Sequence, residues 1–430
     1  MSPTEEKAAL RNIILTQCLA IVALGTIVNG TLLLYLTAIG ATAVHTMIYL
    51  AIIPLTNAIL LLPAAYLADR YGKKRLGQIG LSIGILGWSI ISIGAFFGSS
   101  SESVIVIGIV LAAICSSLMG AGWFSLLSPI IPAAIRGRFF SRLRLSFSTV
   151  SLTLSITYAW LLSIHSGIIV YQGIFALAAL AFMLRWFTYH RIPELEPPNR
   201  KNTDPSFFTV ISKVFRVKNL AAFCSYIFLL GLFTAGAAAL FAMVEKRVLD
   251  FSATRIILLS NITLIGSMLG MFVGGRIVDR HGPRLVFAAC HVMLALTLMG
   301  FLLRIFFPPS MLVAHLCAMH FLLGSALGAI GIAMTSELLG ILPQENKSVA
   351  SSMFIIFQTS GVALSGLIPA WILQVGILRD NWQIGARQLS SFDAILLGYS
   401  IMTLILVATL GLIPSVLRKS EPASLGINRL

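Results

Sequence analysis

The sequence predicts an all-α membrane protein of twelve transmembrane helices arranged as two pseudo-symmetric six-helix bundles. Three observations predict it: an apolar composition, apolar runs of membrane-crossing length, and a loop motif that occurs twice. Of 430 residues, 58% are hydrophobic and 10% are charged, whereas a soluble domain carries about 25% charged residues. Mean hydropathy is +0.95, so water is not the main solvent of this chain.

Apolar runs fall at 12–36, 44–68, 76–97, 103–127, 145–165, 167–188, 219–244, 255–278, 285–307, 311–336, 349–375 and 394–416. About 20 apolar residues cross a hydrocarbon layer of roughly 30 Å as a helix. Backbone amides in lipid must be satisfied internally, which leaves helices or closed barrels, and barrel strands are shorter and alternate in polarity. The first run is too long for a signal peptide and lacks a small-residue cleavage site before the second, so an uncleaved helix is expected. Cys18, Cys115, Cys224, Cys290 and Cys317 all lie inside runs without CxxC spacing, which argues against disulfides and zinc.

Net charge is +15, a value that in a soluble protein would suggest nucleic acid. Here the basic residues are spread over many loops and form no single patch, so nucleic-acid binding is excluded. With the N-terminus inside, 24 Lys and Arg fall on the inner side and 6 on the outer. The positive-inside rule then places both termini in the cytoplasm. A multi-pass protein of the bacterial inner (cell) membrane is expected.

The longest polar interruption runs from Arg191 to Asn219, with four prolines and a basic end. It divides the chain into an N-terminal bundle, 1–190, a cytoplasmic linker, 191–218, and a C-terminal bundle, 219–430. DRYGKKR begins at Asp69 after the second run, and DRHGPR begins at Asp279 after the eighth, an offset of 210 residues. Pro132 to Arg138 after the fourth run is echoed by Pro343 to Lys347 after the tenth. Such an internal repeat implies two copies of one unit.

A D-R-x-G-(K/R)-(K/R) loop after helix 2, repeated after helix 8, resembles motif A of the major facilitator superfamily, and the resemblance spans essentially the whole chain. Arg136-Gly137-Arg138 matches an R-G-R/K element common after the fourth helix of that superfamily. The motif's leading glycine is Gly275 in the second half but Ala65 in the first, and Pro283 stands where a basic residue is common. The resemblance implies the superfamily fold and a carrier that alternates between inward-open and outward-open states. Asp69, Arg70, Gly72, Lys73, Asp279, Arg280, Gly282, Arg284 and Glu337 would then form a gating set. Gly72 and Gly282 permit tight turns. The resemblance implies that Asp69 meets the start of helix 11 and Asp279 the start of helix 5, and that Glu337 pairs with Arg280 or Arg284. The bland alternative is that the basic residues of these loops merely anchor the inner leaflet.

Glycines at spacing four, such as Gly80 and Gly84 or Gly324 and Gly328, suit close helix packing. The superfamily's solute site lies at the midplane between the halves, and there the runs contain almost no ionisable residue. Glu102, Glu245, Asp250, Asp380 and Asp393 read as outer-face acids, which argues against carboxylate-based proton coupling. His320, about midway through the tenth run, is the most central protonation candidate, although hydrogen-bonded structure is the commoner role. Neutral polar candidates are Asn29, Asn57, Trp123, Tyr226, Asn261 and Gln358, with Ser151 and Ser155 in hydroxyl rows along the fifth run. Amides, hydroxyls and flat rings suit a neutral or zwitterionic solute, while the same groups also hold helices together.

The GxxxGPxxGG signature of drug/proton antiporters and the P-E-S-P-R element of sugar porters are both missing, so no subfamily is identified. The function expected is secondary active or facilitative transport of a small organic solute by alternating access. The partners expected are that solute, the lipid bilayer and, for a coupled carrier, a proton or sodium ion; a monomer without cofactor or metal is expected. A non-transporting receptor or scaffold on the same fold is the first alternative. A membrane-embedded enzyme is the weaker one, since no HExxH, GxSxG or P-loop is present.

Overall fold

The computed structural model describes residues 2–28, 31–41, 43–165, 167–196, 206–251, 253–378, 382–384 and 387–412. Its helices are α1 (Pro3–Val28), α2 (Thr31–Ala38), α3 (Ala43–Tyr71), α4 (Lys73–Ile93), α5 (Ser101–Leu127), α6 (Arg136–Ile164), α7 (Ile168–His190), α8 (Phe207–Phe215), α9 (Lys218–Thr234), α10 (Ala237–Arg247), α11 (Ala253–His281), α12 (Pro283–Leu302), α13 (Pro309–Ile341), α14 (Lys347–Val375) and α15 (Ser391–Leu412). The expected helical architecture is present, with one addition to the all-α reading. Strands β1 (Trp382–Ile384) and β2 (Arg387–Leu389) pair antiparallel between α14 and α15.

Eleven helical segments among the described residues are long and apolar enough to cross a membrane, against twelve runs in the sequence. The difference lies at Lys73–Leu127, one 55-residue segment. At 1.5 Å per residue that is about 80 Å, far beyond the roughly 30 Å of a hydrocarbon core. It contains α4 and α5, joined by a 3-10 turn at Gly94–Ser100 in which Gly98 has φ +55°. The seventh run, read as one helix, is broken into α9 and α10 at Ala235 and Gly236. A Cβ built on Gly236 would lie 2.6 Å from the Ser365 carbonyl oxygen, so only glycine lets the chain pass there. The expected linker also contains structure: α8 buries Val210 and Val214 while Phe208 stays exposed.

The chain forms two compact units. The first comprises residues 1–132, 143–214 and 342–352; the second comprises 133–142, 215–341 and 353–430. In the first, α5 packs on α3 and α4, and α7 packs on α1 and α4. Small residues bring α4 and α5 into backbone contact: a Cβ on Gly87 would sit 2.8 Å from the Gly108 carbonyl oxygen. Trp88 stacks on Phe175 in the same core, and the Tyr35 hydroxyl donates to the Ile91 carbonyl at 3.1 Å.

In the second unit, α11 and α13 form the tightest pair, and α12 packs on α13 and α15. Cβ atoms on Gly266, Gly270, Gly324 and Gly328 would lie 2.2, 2.0, 1.9 and 2.2 Å from carbonyl oxygens of the facing helix. The two backbones therefore touch, the arrangement that small residues at spacing four allow in lipid. Large apolar side chains point outward, among them Leu152, Ile156 and Trp160 on α6. A soluble surface would not tolerate such patches, whereas acyl chains solvate them.

Candidate functional site

Helix α3 ends in the first copy of the repeated loop. Gly72, at φ +104°, turns the chain into α4, a backbone conformation that favours glycine. This fixes Asp69 at the last turn of α3, where its carboxylate accepts the Ser348 N–H at 3.0 Å and the Val349 N–H at 3.3 Å. Those amides belong to the first turn of α14, whose unpaired N–H groups and dipole favour an anion. Ser348 is held in turn by the Ser125 hydroxyl, 2.7 Å away.

Two acids of the segment after α7 complete this cluster. The Glu194 carboxylate accepts the Lys73 and Lys74 N–H groups at 2.7 and 3.4 Å and so caps α4. Glu196 bridges two ammonium groups: Lys73 Nζ at 3.1 Å and Lys347 Nζ. Burial works against its charge, but hydrogen bonds from Lys347 and Lys73 outweigh that and hold its carboxyl below the ordinary value of 4.5. Arg70 turns to its own helix, bonding the Tyr66 hydroxyl at 2.5 Å and lying over that ring.

The second loop repeats the design with different partners. Gly282, at φ +79°, caps α12. Asp279, with a side chain only 5% exposed, accepts the Gly137 N–H at 2.6 Å, the Arg138 N–H at 2.9 Å and the Arg138 Nε–H at 2.8 Å. These are the first residues of α6. Gly137 and Gly275 face each other: a Cβ on Gly137 would be 2.3 Å from the Gly275 carbonyl oxygen, and one on Gly275 would be 2.7 Å from that of Gly137. The R-G-R element and the motif glycine are thus two halves of one close approach. Arg280 is exposed, Arg284 half-buried and Glu337 buried in α13.

The cavity candidates are divided between the two units. Asn29 lies outside the described residues, as do Asp380 and the chain beyond Leu412. In the first unit, the Asn57 amide bonds the Ser116 and Ser117 hydroxyls at 3.3 and 2.8 Å. Trp123 is buried against Tyr189, their ring centroids 6.5 Å apart, and Ser151 and Ser155 are half-buried on α6. In the second unit, Tyr226 is buried on His291, Asn261 is exposed, and the Gln358 amide reaches the Met334 sulfur at 3.5 Å.

His320 is 1% exposed and sits in a polar cluster that sequence reasoning missed. Its Nε2 lies 2.6 Å from Glu245 Oε1, and its Nδ1 lies 2.7 Å from the Thr263 hydroxyl. Glu245, read from sequence as an outer-face acid, is 0% exposed and falls within the candidate span Asn219–Arg247. In the sequence the apolar run ends at Val244, because Glu-Lys-Arg reads as a polar terminus. The helix phase is the signal that could have found it, since Ala237, Phe241, Val244 and Glu245 share the buried face of α10. Asp393 is likewise buried, paired with Arg304 at 2.7 Å and bonded by the Ser390 N–H and hydroxyl. Among the described residues no group of His, Cys, Asp and Glu could hold a metal ion.

The family description Major Facilitator Superfamily matches residues 14–366. The chain belongs to the major facilitator superfamily. Solved structures of that fold resemble it closely in shape and remotely in sequence. A bacterial homologue of the iron transporter ferroportin, in an outward-facing state, matches with TM-score 0.74 and 12% identity over 94% of this chain and 98% of that one. A human organic anion transporter matches with TM-score 0.69 and 13% identity over 95% and 100%. The E. coli fucose:proton symporter, as a point variant, matches with TM-score 0.70 and 12% identity over 94% and 98%. Comparison with curated protein sequences finds no match. At these identities the likenesses establish the fold. This superfamily member is therefore an integral multi-pass membrane protein, and family and fold together support membrane transport.

Proposed function

We propose that this superfamily member moves a small organic solute across the cell membrane by alternating access of two helical bundles, 1–190 and 219–430, tethered by a cytoplasmic linker, 191–218. It works as a monomer of the inner membrane with both termini in the cytoplasm. The observation that carries the reading is the pair of carboxylates, Asp69 and Asp279, each seated on the N-terminal amides of another helix. A carboxylate at a helix N-terminus contributes about 0.3–1 kcal/mol, more when partly buried. That is large enough to bias two states separated by a few kcal/mol and small enough to be released in each cycle. Lys73, Lys347 and Glu196 add screened ion pairs to the first seat. Arg70, Arg280, Arg284 and Glu337 complete the gating set, and the neutral polar candidates supply solute contacts without fixed charge.

The test is flux in proteoliposomes holding the purified full-length protein, screened against metabolite classes. Ligands for the screen come first from thermal shift, because a ligand at 100 times its Kd stabilises by about 2.7 kcal/mol. Saturable uptake that falls in Asp69→Asn and Asp279→Asn is the expected result. A ligand that binds but is never transported would favour a receptor instead.

A further inference from the structure

We propose that α8 is an interfacial anchor: Phe208 and Phe215 enter the lipid boundary, and Lys213 and Arg216 hold the phosphate of an anionic phospholipid. The proposal rests on the membrane reading of the fold and does not require that a solute is carried.

The helix has its own start signal. The Ser206 hydroxyl accepts the Thr209 N–H at 3.4 Å, and the Ser206 carbonyl accepts the Val210 N–H at 3.0 Å, the pattern of an N-cap serine. Nine residues are too few for a stable helix in water, so packing must hold it. Val210 and Val214, each 2% exposed, supply one apolar row, and Phe207 meets the Tyr66 ring edge-on.

A second apolar row lies on another face. Phe208, Ser212 and Phe215 recur at spacings of four and three and so share that face. Phe208 is 79% exposed and Phe215 45%. The protein covers the valine row, and the phenylalanine row needs a cover of its own.

Position and charge name lipid as that cover. The Phe215 ring lies 6.1 Å from Phe357, a residue about 15 Å along the candidate span Lys347–Leu373. The end of α8 therefore lies at the level of a spanning helix and not in the water beyond it. Only Arg216 and Val217 separate α8 from α9, whose candidate span begins at Asn219. From Ser206 to Asn219 the chain carries Lys213, Arg216 and Lys218 and no acid. Thr209, Lys213 and Arg216 form an exposed row beside the phenylalanines. Aromatic and basic rows side by side are what a helix lying in the headgroup layer presents. Lys213 pairs with Glu345 at 2.8 Å, but the two side chains are 64% and 57% exposed, so the pair is screened and weak. A lipid phosphate can take its place, and the Arg216 guanidinium can bind the same phosphate through two N–H groups.

The experiment is photocrosslinking of the full-length protein with p-benzoyl-phenylalanine in place of Phe208, irradiated in the cell membrane and read by mass spectrometry. A phospholipid adduct is the expected result. The same replacement at Leu296, 62% exposed on α12, is the lipid-facing control. A crosslinked dimer, a crosslink to another protein, or a Phe208 site left unlabelled while Leu296 labels overturns the proposal. The charge is tested in nanodiscs of equal phosphatidylglycerol and phosphatidylcholine. Adducts at position 208 should be enriched in phosphatidylglycerol, and Lys213→Gln and Arg216→Gln should each reduce that enrichment about fivefold. Enrichment unchanged in both variants overturns the assignment of the phosphate to this row. Hydrogen exchange on wild type gives an independent readout: amides of 207–215 should exchange more slowly in the mixed discs than in phosphatidylcholine alone, and equal exchange counts against the anchor. None of these measurements involves solute, so absence of flux would sink the transport reading and leave the anchor standing, whereas flux without lipid adducts would do the reverse.

Discussion

Asp279 receives three N–H groups, one of them from a guanidinium, whereas Asp69 receives two backbone N–H groups. A carboxylate at a helix N-terminus contributes about 0.3–1 kcal/mol, more when partly buried, and about 1.4 kcal/mol is a tenfold change in an equilibrium. Asp279→Asn is therefore expected to shift the balance of transport states more than Asp69→Asn, each by several-fold. Cysteine-accessibility labelling of each variant reads the shift directly, and unchanged accessibility together with unchanged flux would sink the gating role. Gly137→Ala tests the same seat from the other side, because its Cβ would meet a backbone oxygen at 2.3 Å that has no room to yield. Overpacking of this kind costs about 1–3 kcal/mol, so thermal denaturation should move down in Gly137→Ala. Gly173→Ala, with nothing within 4 Å of the new methyl, should not move. The aspartates and glycines of these loops stand out in the sequence because they repeat at a fixed offset. Glu194 and Glu196 do not repeat, and their roles follow only from where the chain after α7 lies against Lys73 and Lys347.

Helix pairing carries a second set of expectations. A methyl on Gly324 would press on the Thr263 carbonyl oxygen at 1.9 Å, so Gly324→Ala must push α11 and α13 apart. A fall in stability of about 1–3 kcal/mol is expected, whereas Gly366→Ala, with open space around it, is the neutral control. Equal melting of the two variants would show that the helices do not depend on that approach. The segment after α7 should respond to acid. The Glu196 carboxyl titrates below 4.5 in the folded state, so the stabilisation it lends is complete above 4.5 and lost as pH falls through the lower folded value. The stability gap between wild type and Glu196→Gln should therefore close in acid and, because the carboxyl is partly exposed, shrink with salt. A gap that persists below the folded value would exclude the ion pairs as its source. At this level the spacing-four glycines are legible as packing surfaces, since periodicity alone puts them on one face. The break between α9 and α10 is not, because an apolar run reads as continuous until the Ser365 carbonyl is found against Gly236.

Orientation belongs to the molecule as a whole. From the distribution of 24 basic residues against 6 we propose that the segment 191–218 faces the cytoplasm. An impermeant thiol reagent applied to intact cells should modify a cysteine at Ser100 and spare one at Asn199; the opposite pattern would invert the topology. By itself the sequence determined the solvent, the helical class and the family, because each follows from information local to the chain. Hydrocarbon forbids unpaired amides, apolar runs of sufficient length must then be helices, and a short loop motif is read without knowing its neighbours. The family resemblance already pointed Asp69 to the start of helix 11 and Asp279 to the start of helix 5, and tertiary structure added which amides they accept; it alone decided that Glu245 is an interior acid held by His320 and that Gly137 and Gly275 are one contact. These depend on helix phase and on partners hundreds of residues away. Hydropathy averages over all faces of a helix, so a single carboxylate at the end of an apolar run looks solvated until the helices packed around it show that water is excluded.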